Sequence, residues 1–416
     1  MKEKLSILFN STVGFPSKYT LADIGLAWII FFSIVYQKLA PIGFGLMLVS
    51  LVLERKKVST TEFLSFIKKG PALWFIMYFF LLVIGLLWTV NHEYALSKLE
   101  NKMSFVLLPM LLFFTVRKGS TIAWKQLFIY ALLFALAMYE ILALLRFIGN
   151  PAPSWQLEFL ASRFTVFMHR SYFSCYLVIG IVLLFENIHS AIFKHTLAII
   201  FFSFGVLQTE SKAGVVCLFI VLSVQFYSIL KSKQKKVNWF LGIGVLLFSL
   251  VFVINNPIKT RFETMLSALG NIQTKNNSSV ESNTARILMW NASWQVWKKD
   301  LILGVGTGDY NDELIDYNKS NNNLGVAKEE LNAHNQFLNT SVQLGLIGLI
   351  VLVMVFISTF SYSQKSIWQV LILTVFFINF FVESFIETQA GVVLFSTLLL
   401  LFFKKNETDQ FELDAT

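Results

Sequence analysis

Residues 331–350 read LNAHNQFLNTSVQLGLIGLI, and in this stretch a polar segment gives way to a long apolar one. The Asn-rich part stops at Ala333, and His334 and Asn335 follow. The chain is then mainly apolar for about 25 residues, and roughly 20 such residues are enough for a helix to cross a bilayer core. We therefore predict a membrane helix over 335–360 that carries an imidazole at its start.

The composition of the whole chain agrees with this helix. Of 416 residues, 56% are hydrophobic and 14% are charged, with a mean hydropathy of +0.64. A soluble domain carries about 25% charged residues, so too few polar side chains are present to cover a globule of this size. Cys175 and Cys217 both lie in apolar segments, which predicts packing roles rather than a disulfide or a metal cluster.

The apolar runs predict an all-α, polytopic membrane protein of about twelve transmembrane helices. Residues 1–254 would hold the first nine, 255–333 a long and partly helical outer loop, 334–403 the last three, and 404–416 a tail. No cleavable signal peptide is expected, because the first run lacks a small-residue cleavage site. The predicted spans are 21–37, 40–54, 72–90, 102–116, 124–148, 171–186, 195–208, 213–230, 237–254, 335–360, 366–382 and 388–403.

The distribution of Lys and Arg predicts the orientation. With the N-terminus inside, the inner segments hold 19 of the 34 Lys and Arg residues, and the long loop 255–333 holds 8. Cytoplasmic loops carry such an excess, so both termini are predicted to be cytoplasmic. The net charge of +9 is thus a topology signal, and we do not expect the protein to bind nucleic acid.

The unusual polar residues gather at the outer ends of the predicted spans. Each is a titratable or amide side chain next to a span end, where charge is costly unless it has a partner or a function. In chain order they are His169, Arg170, Lys212, Arg286, His334, Asn335, Glu383, Glu387 and Gln389.

Arg286 opens a helical pattern in the long loop. Trp290, Trp294 and Trp297 follow at three- and four-residue steps, which predicts a helix with one Trp-rich face that lies in the headgroup layer. Arg286 would be in its first turn, where it could hold a phosphate with two hydrogen bonds. The following GVGTGDY, 304–310, reads as a turn rather than as a phosphate loop, since no strand precedes it.

The other charged residues leave alternatives open. Lys212 is either an interfacial lysine or a cation that faces an anionic ligand. Glu383 and Glu387 share one face if their turn is helical; otherwise they lie in a solvated loop and form ion pairs with Arg286 or Arg170. Glu140 lies inside the fifth span, and Arg146 is its expected partner.

Taken alone, His334 would be interpreted as a helix cap or as a residue at the membrane interface. The cations at the outer ends of the other predicted spans suggest that it takes part in a reaction. Cations that bind phosphate, together with one imidazole, suit transfer from a phosphate-activated donor: the cations stabilise the leaving group, and the imidazole takes a proton from the acceptor. No metal site is predicted, because His92, His169 and His334 are not part of any metal-binding spacing.

The sequence resembles the family of O-antigen ligases and the related Wzy-type O-antigen polymerases. The family motif of His, an amide or hydroxyl residue, nine residues, Gly, two residues and Gly is complete from His334 to Gly348. A family Arg followed after three residues by Leu is matched by Arg286, with Trp290 in place of Leu. A Ser-Arg-Gly-Ala-like turn is matched at 211–214, with Lys212 in place of Arg.

The resemblance implies a metal-independent enzyme, without a cofactor, in the bacterial inner membrane. His334 would activate the acceptor, Arg286 and Lys212 would contact the diphosphate of an undecaprenyl-linked glycan, and the active site would face the periplasm. Gly345 and Gly348 would let a neighbouring helix pack closely. We expect Arg170 to assist with the diphosphate, and Asn335, His169, Glu383, Glu387 and Gln389 to have supporting roles.

Three glycan-transfer functions and one transport function remain open at this point. A ligase passes the glycan to lipid A–core, which is the interpretation that the complete His motif favours. A polymerase passes it to a second lipid-linked repeat unit, and a further relative passes it to protein hydroxyls. A transporter or flippase would need repeats and charges near the membrane midplane, and Glu140 is the single such charge.

Overall fold

The structure is a computed structural model, and it describes residues 19–53, 60–68, 70–115, 123–152, 154–231, 282–362 and 366–413. Within these ranges all regular structure is helical, which confirms the all-α prediction. The predicted ninth span, 237–254, and residues 255–281 of the long loop lie outside the described residues.

The helices follow the predicted apolar runs closely. Apart from the span at 237–254, each of the other eleven predicted spans coincides with a helix, while the number of membrane crossings stays a prediction. The first twelve α-helices of the described ranges are α1 (Leu21–Val35), α2 (Ala40–Leu53), α3 (Thr60–Lys68), α4 (Pro71–Ile84), α5 (His92–Lys102), α6 (Ser104–Thr115), α7 (Trp124–Gly149), α8 (Trp155–Phe159), α9 (Ala161–Phe164), α10 (Arg170–Glu186), α11 (Ile192–Gln208) and α12 (Lys212–Lys231).

Three helices lie in residues 282–333, the described part of the predicted outer loop, as expected for a partly helical loop. They pack on one another through a small apolar core that also includes Val342 of the helix that follows them. These are α13 (Ser282–Trp297), α14 (Tyr310–Ser320) and α15 (Leu324–Lys328), and they are followed by α16 (Gln336–Tyr362), α17 (Ile367–Val382) and α18 (Gln389–Leu413).

Helix α10 lies at the centre of the bundle. Every residue from 171 to 185 is buried, and the helix packs against α7, α11, α12 and α17. A helix that is apolar on all sides can be stable only when neighbours surround it, so its sequence dictates this central place. The first turn of α10 therefore meets the ends of several other helices, and the candidate site is built there.

The outer helices expose large apolar side chains, as expected of a membrane protein. Phe80, Tyr130, Ile141, Phe193 and Phe219 are all more than half exposed on the bundle surface. Among the described residues, α7 and α16 are long and apolar enough to cross a membrane, and α3 with α4 would add a third span if the bent pair counts as one. Several shorter apolar helices accompany them.

Helix α16 is not one straight span, because Gly345 breaks it. Gly345 has φ 63° and ψ −159°, a backbone conformation that side chains beyond hydrogen rarely adopt. The Phe337 and Phe356 ring centroids are 6.4 Å apart, although 19 residues of straight helix would separate their backbones by about 28 Å. The helix therefore folds back into two arms, α16a (336–344) and α16b (346–362).

The loop after α13 supplies the hydrogen bonds that the break removes. The amides of Leu346 and Ile347 donate to the carbonyls of Leu301 and Ile302, at 2.8 and 3.4 Å. In the other direction, the amide of Val305 donates to a carbonyl of α16a at 2.9 Å. Irregular backbone inside an apolar bundle is tolerated when protein groups satisfy it in this way.

This arrangement corrects the expected role of the motif glycines. A Cβ on Gly345 would lie 2.2 Å from the Ile302 carbonyl oxygen, so the close neighbour is the backbone of a loop and not another helix. Arm α16a instead runs beside the end of α4, in the same direction, where the hydroxyls of Tyr78 and Thr340 are 2.9 Å apart. His334 thus stands at the start of a folded-back arm, rather than at the start of a straight membrane helix.

Candidate active site

Glu383 is the centre of the candidate site. It follows α17 directly in an extended conformation, and its side chain is almost fully buried. One carboxylate oxygen accepts hydrogen bonds from Arg286 at 2.6 Å and from Ser171 at 3.1 Å, and the other lies 3.3 Å from Nδ1 of His334. The turn after α17 thus brings together the starts of α10 and α16a with α13.

The Glu383 carboxylate is held in its charged form. Burial by itself raises the pKa, but the hydrogen bond from His334 and the positive charge of Arg286 outweigh burial and lower the pKa of Glu383 to about 2. A carboxylate that is ionised at neutral pH can orient an imidazole and stabilise its protonated form.

His334 has a strained backbone that its neighbours hold in place. Its φ is +45°, in the left-handed region that costs a non-glycine residue on the order of 1 kcal/mol or more. Its amide donates to Oδ1 of Asn332 at 2.9 Å, and the same oxygen accepts from the hydroxyl of Ser384 at 3.1 Å. Asn335 then caps α16a through its Oδ1, which accepts from the Leu338 amide at 3.0 Å.

The orientation of the imidazole leaves one ring nitrogen for a substrate. Nδ1 faces Glu383, and the His334 side chain is 25% exposed. Nε2 is therefore the nitrogen that can accept a proton from a bound molecule. A strained residue that is fixed on both sides and still reaches the surface is typical of a functional position.

Arg286 has a different place in its helix from the one predicted. Helix α13 begins at Ser282, so Arg286 lies in its second turn, beyond the free backbone donors of the helix start, and the first-turn prediction is wrong. Its side chain is 22% exposed while it pairs with Glu383. The Trp-rich face is as predicted, since Trp290 and Trp294 are exposed on α13.

His169 and Arg170 stand beside this ion pair at the start of α10. His169 is the residue before the helix and Arg170 is its first residue. His169 interacts electrostatically with Glu383, Arg170, His334 and Arg286, so these five of the predicted residues lie together. We call His169, Arg170, Arg286, His334 and Glu383 the Glu383 cluster.

Lys212 lies at the same end of the bundle but makes no described contact with Glu383. It is the first residue of α12, after a tight turn in which Glu210 has φ +50° and the Ser211 hydroxyl accepts from the Gly214 amide at 3.2 Å. A Cβ on Gly214 would lie 2.0 Å from Oγ of Ser174, one turn along α10 from Arg170. Gln389, at the start of α18, is exposed and outside the Glu383 cluster.

Glu387 belongs to a second cluster that the sequence analysis missed. Its oxygens are 2.7 Å from Nζ of Lys102 and 3.6 Å from Nζ of Lys98, and they accept from Tyr310 and Gln336 at 3.3 Å. We call these five residues the Glu387 cluster. The two lysines are four residues apart in the amphipathic α5, and that spacing was the available signal.

Neither of the two predicted arrangements of the glutamates is observed in full, although the predicted ion pair of Glu383 with Arg286 is present. A short 3₁₀ turn, Phe385–Glu387, follows the extended Glu383, so the carboxylates do not share a helical face. Neither is solvated, because both residues are about 5% exposed. Burial raises the pKa of Glu387, but Lys102 and Lys98 outweigh it and lower the pKa to about 2.

Gln336 connects the two clusters. Its Nε2 donates to Glu387 at 3.3 Å, and its Oε1 accepts from the Ile386 amide at 2.9 Å. Together with the bond between Asn332 and Ser384, this ties the His334 segment to the turn that carries Glu383.

The expected partner of Glu140 is also wrong. Arg146 instead binds Glu158 at 2.9 Å, because the short helices α8 and α9 fold back against the end of α7. Arg163 binds the other oxygen of Glu158 at 3.1 Å. Glu140 therefore has no established role in the candidate site.

Comparison with known proteins agrees with the resemblance in the sequence. No curated protein matches the chain. A family model does match, and the matched part contains Lys212, Arg286 and His334. Residues 197–353 of this chain match the family described as O-antigen ligase, and the predicted resemblance to that family is thereby confirmed.

Proposed function

We propose that this protein is an O-antigen ligase that transfers a glycan from undecaprenyl diphosphate to a hydroxyl of lipid A–core. The observation that carries the proposal is the contact of one buried carboxylate, Glu383, with His334 and Arg286, which both lie in the segment that matches the ligase family. A base, a carboxylate that orients it and a cation are the groups that glycan transfer from a diphosphate requires.

In the proposed reaction, Nε2 of His334 takes the proton from the acceptor hydroxyl. The acceptor oxygen attacks the anomeric carbon, the bond from that carbon to the diphosphate breaks, and undecaprenyl diphosphate leaves with the electron pair. Glu383 stabilises the imidazolium through Nδ1. The resemblance implies inversion at the anomeric carbon, and neither a metal nor a cofactor takes part.

Arg286 and Lys212 would bind the diphosphate. A guanidinium has five N–H donors, so Arg286 can hold Glu383 with one nitrogen and offer others to a phosphate. Arg170 adds positive charge beside it, and His169, whose pKa burial lowers, supports the cluster as a neutral imidazole. Asn335 supports the start of α16a, Glu387 supports the turn that carries Glu383, and Gln389 would contact the glycan from outside the Glu383 cluster.

The proposed location is the bacterial inner membrane, with the active site facing the periplasm and both termini in the cytoplasm. The distribution of Lys and Arg between the loops supports this orientation. A donor that is anchored by its lipid tail would then meet its acceptor among membrane lipids at the outer face.

The alternative function is that of a polymerase, which uses the same donor and a second undecaprenyl-diphosphate-linked repeat unit as acceptor. The Glu383 cluster suits both reactions, because the acceptor is a hydroxyl in each. The family match supports both reactions, and the complete His motif from His334 to Gly348 is what favours the ligase. A transporter or flippase is less consistent with a strained histidine that is fixed by a carboxylate.

The test is a transfer assay with the purified full-length protein in detergent, without ATP or added metal. The donor is an undecaprenyl-diphosphate-linked repeat unit, supplied with and without lipid A–core, and products are resolved by gel and mass spectrometry. Glycan on lipid A–core supports the ligase; longer lipid-linked chains formed without that acceptor would make the protein a polymerase. Absence of both products from folded protein would reject glycan transfer to either acceptor.

The assay needs a matched pair of histidine variants. His334→Ala should abolish transfer while the protein stays folded, because the side chain is partly exposed and lies outside the apolar core. His92→Ala, at the exposed start of α5, should transfer at the wild-type rate. Full activity in the His334→Ala variant would refute the proposed base.

A further inference from the structure

The side of α13 that points away from the protein and the loop that follows the helix form a continuous apolar surface. The inner face of the helix is buried through Ala285, Met289, Ala292 and Val296. The outer face and loop present five large apolar side chains to the surroundings, and we call them the α13 tip: Trp290, Trp294, Leu301, Ile302 and Leu303.

Exposure of this kind is unusual for a surface that meets water. Ile302 is 62% exposed, and the other four residues of the α13 tip are between about a third and a half exposed. Contiguous exposed apolar patches in proteins usually mark a place where a protein or a membrane is bound. The α13 tip therefore needs an apolar partner.

Backbone hydrogen bonds fix the position of the α13 tip against the apolar bundle. The carbonyls of Leu301 and Ile302 accept from Leu346 and Ile347, the first residues of α16b. Leu346 and Ile347 are themselves exposed, as is Ile350 one turn further on. The α13 tip and the outer surface of α16b are therefore one apolar surface, joined at the level of the helix break.

The charged neighbours of the α13 tip have the arrangement expected at a lipid headgroup layer. Nζ of Lys298 lies 5.5 Å from the Trp294 ring centroid, and Lys299 pairs with Glu313 at the exposed side. Tryptophan and lysine together are typical of the boundary between headgroups and acyl chains. Polar residues at one edge and apolar residues at the tip suit a lipid surface better than a second protein.

We propose that the α13 tip inserts into the outer leaflet of the membrane, with the two tryptophans at the headgroup level and residues 301–303 among the acyl chains. The loop would then be a membrane-anchored element, held from one side by α16b and from the other by lipid. This inference concerns the surface alone and stands whether or not the proposed transfer reaction is correct.

The test is spin labelling of single cysteines in the full-length protein, reconstituted in nanodiscs of phosphatidylethanolamine and phosphatidylglycerol. Ile302→Cys probes the tip, Ile350→Cys is the reference on α16b, and Asp316→Cys, whose parent side chain is 77% exposed on α14, is the reference in water. The native Cys175 and Cys217 are fully buried, and the unsubstituted protein measures any label that they take up.

Collisions with oxygen and with a water-soluble nickel chelate then report the depth of each label. We expect the label at position 302 to be reached by oxygen and protected from the chelate, as at 350, and the label at 316 to show the opposite. A label at 302 that the chelate reaches as readily as at 316 would overturn the proposal. Leu303→Cys repeats the measurement if the first variant does not fold.

Discussion

Glu383 and Glu387 are four residues apart, and both are buried carboxylates with a pKa lowered to about 2. Their partners differ. Glu383 holds Arg286 and His334, whose side chains are 22% and 25% exposed, while Glu387 holds Lys102, which is completely buried, and Lys98, which is 14% exposed. Glu383 thus holds side chains that are exposed enough to contact a substrate. Glu387 holds side chains that are less exposed.

The comparison shows that a lowered pKa does not by itself identify a functional carboxylate. Buried structural ion pairs and active sites lower the pKa of a carboxyl group by the same physical means. The distinguishing feature is whether the groups around the carboxylate keep donors or acceptors free for a ligand. By this criterion we propose a catalytic role for the Glu383 cluster and a stabilising role for the Glu387 cluster.

The largest expected effect is on activity, in Glu383→Gln. The amide can still hydrogen bond to His334, but it has no charge to stabilise the imidazolium, so transfer should fall by about 10²–10⁴-fold, the usual contribution of acid–base catalysis. The measurement is the rate of transfer from the lipid-linked donor, normalised to folded protein.

Glu387→Gln is the matched control for that variant. It has the same chemical change four residues away and should keep a rate per folded molecule close to that of the wild type. Equal losses of activity in the two variants would contradict the division of roles between the clusters.

The second expected effect is on stability, in Lys102→Met. Removal of one partner from a buried ion pair leaves the other charge poorly compensated and typically costs about 3–5 kcal/mol. Thermal unfolding in detergent measures the loss. The double variant Lys102→Met/Glu387→Gln removes both charges and should recover most of the lost stability; no recovery would mean that Lys102 contributes by packing and not by charge.

The same comparison shows what the sequence can and cannot predict. Helix α7 is observed at Trp124–Gly149 against a prediction of 124–148, because the ends of an apolar run are set by the run itself. The break at Gly345 was not predicted, since it depends on a loop about forty residues earlier in the chain that hydrogen bonds to it. The fold-back of α16 is thus decided by tertiary contacts.

The candidate site follows the same rule. His334 and Arg286 stand out in the sequence through a motif, and an ion pair of Glu383 with Arg286 was one of the two alternatives for that carboxylate. Lys98 and Lys102 carry no motif, and their partner lies nearly three hundred residues further along the chain. Only the folded structure shows that four residues separate two different environments.

The third prediction concerns stability at low pH, where the two glutamates should make similar contributions. Both have a folded-state pKa of about 2 against an ordinary value of 4.5. A lowered pKa contributes stability that is complete above 4.5 and is lost as the pH falls toward 2. Glu383→Gln and Glu387→Gln should therefore each weaken the pH dependence of the unfolding temperature in this window.

Unfolding followed by tryptophan fluorescence at a series of pH values between 2 and 6 measures this dependence. A variant whose curve runs parallel to that of the wild type would show that folding does not lower the pKa of the substituted carboxyl. If both variants weaken the pH dependence of unfolding but only Glu383→Gln loses transfer activity, the two carboxylates share a lowered pKa and differ in their role in the reaction.

The smallest expected effect is that of Lys212→Arg, and it contrasts two lysines as the first predictions contrast two glutamates. Lys102 is fully buried in an ion pair with Glu387. Lys212 is partly exposed and is the first residue of α12, where the helix dipole favours a nearby anion. Arginine keeps the charge and adds a fork that can grip a diphosphate, so transfer should stay near the wild-type rate, with a donor KM that is unchanged or lower. Lys212→Met, which removes the charge, should raise that KM.

Loss of activity in the arginine variant would mean that the turn before α12 accommodates lysine alone. Lys212 would then stabilise the conformation of the turn and would not bind the donor.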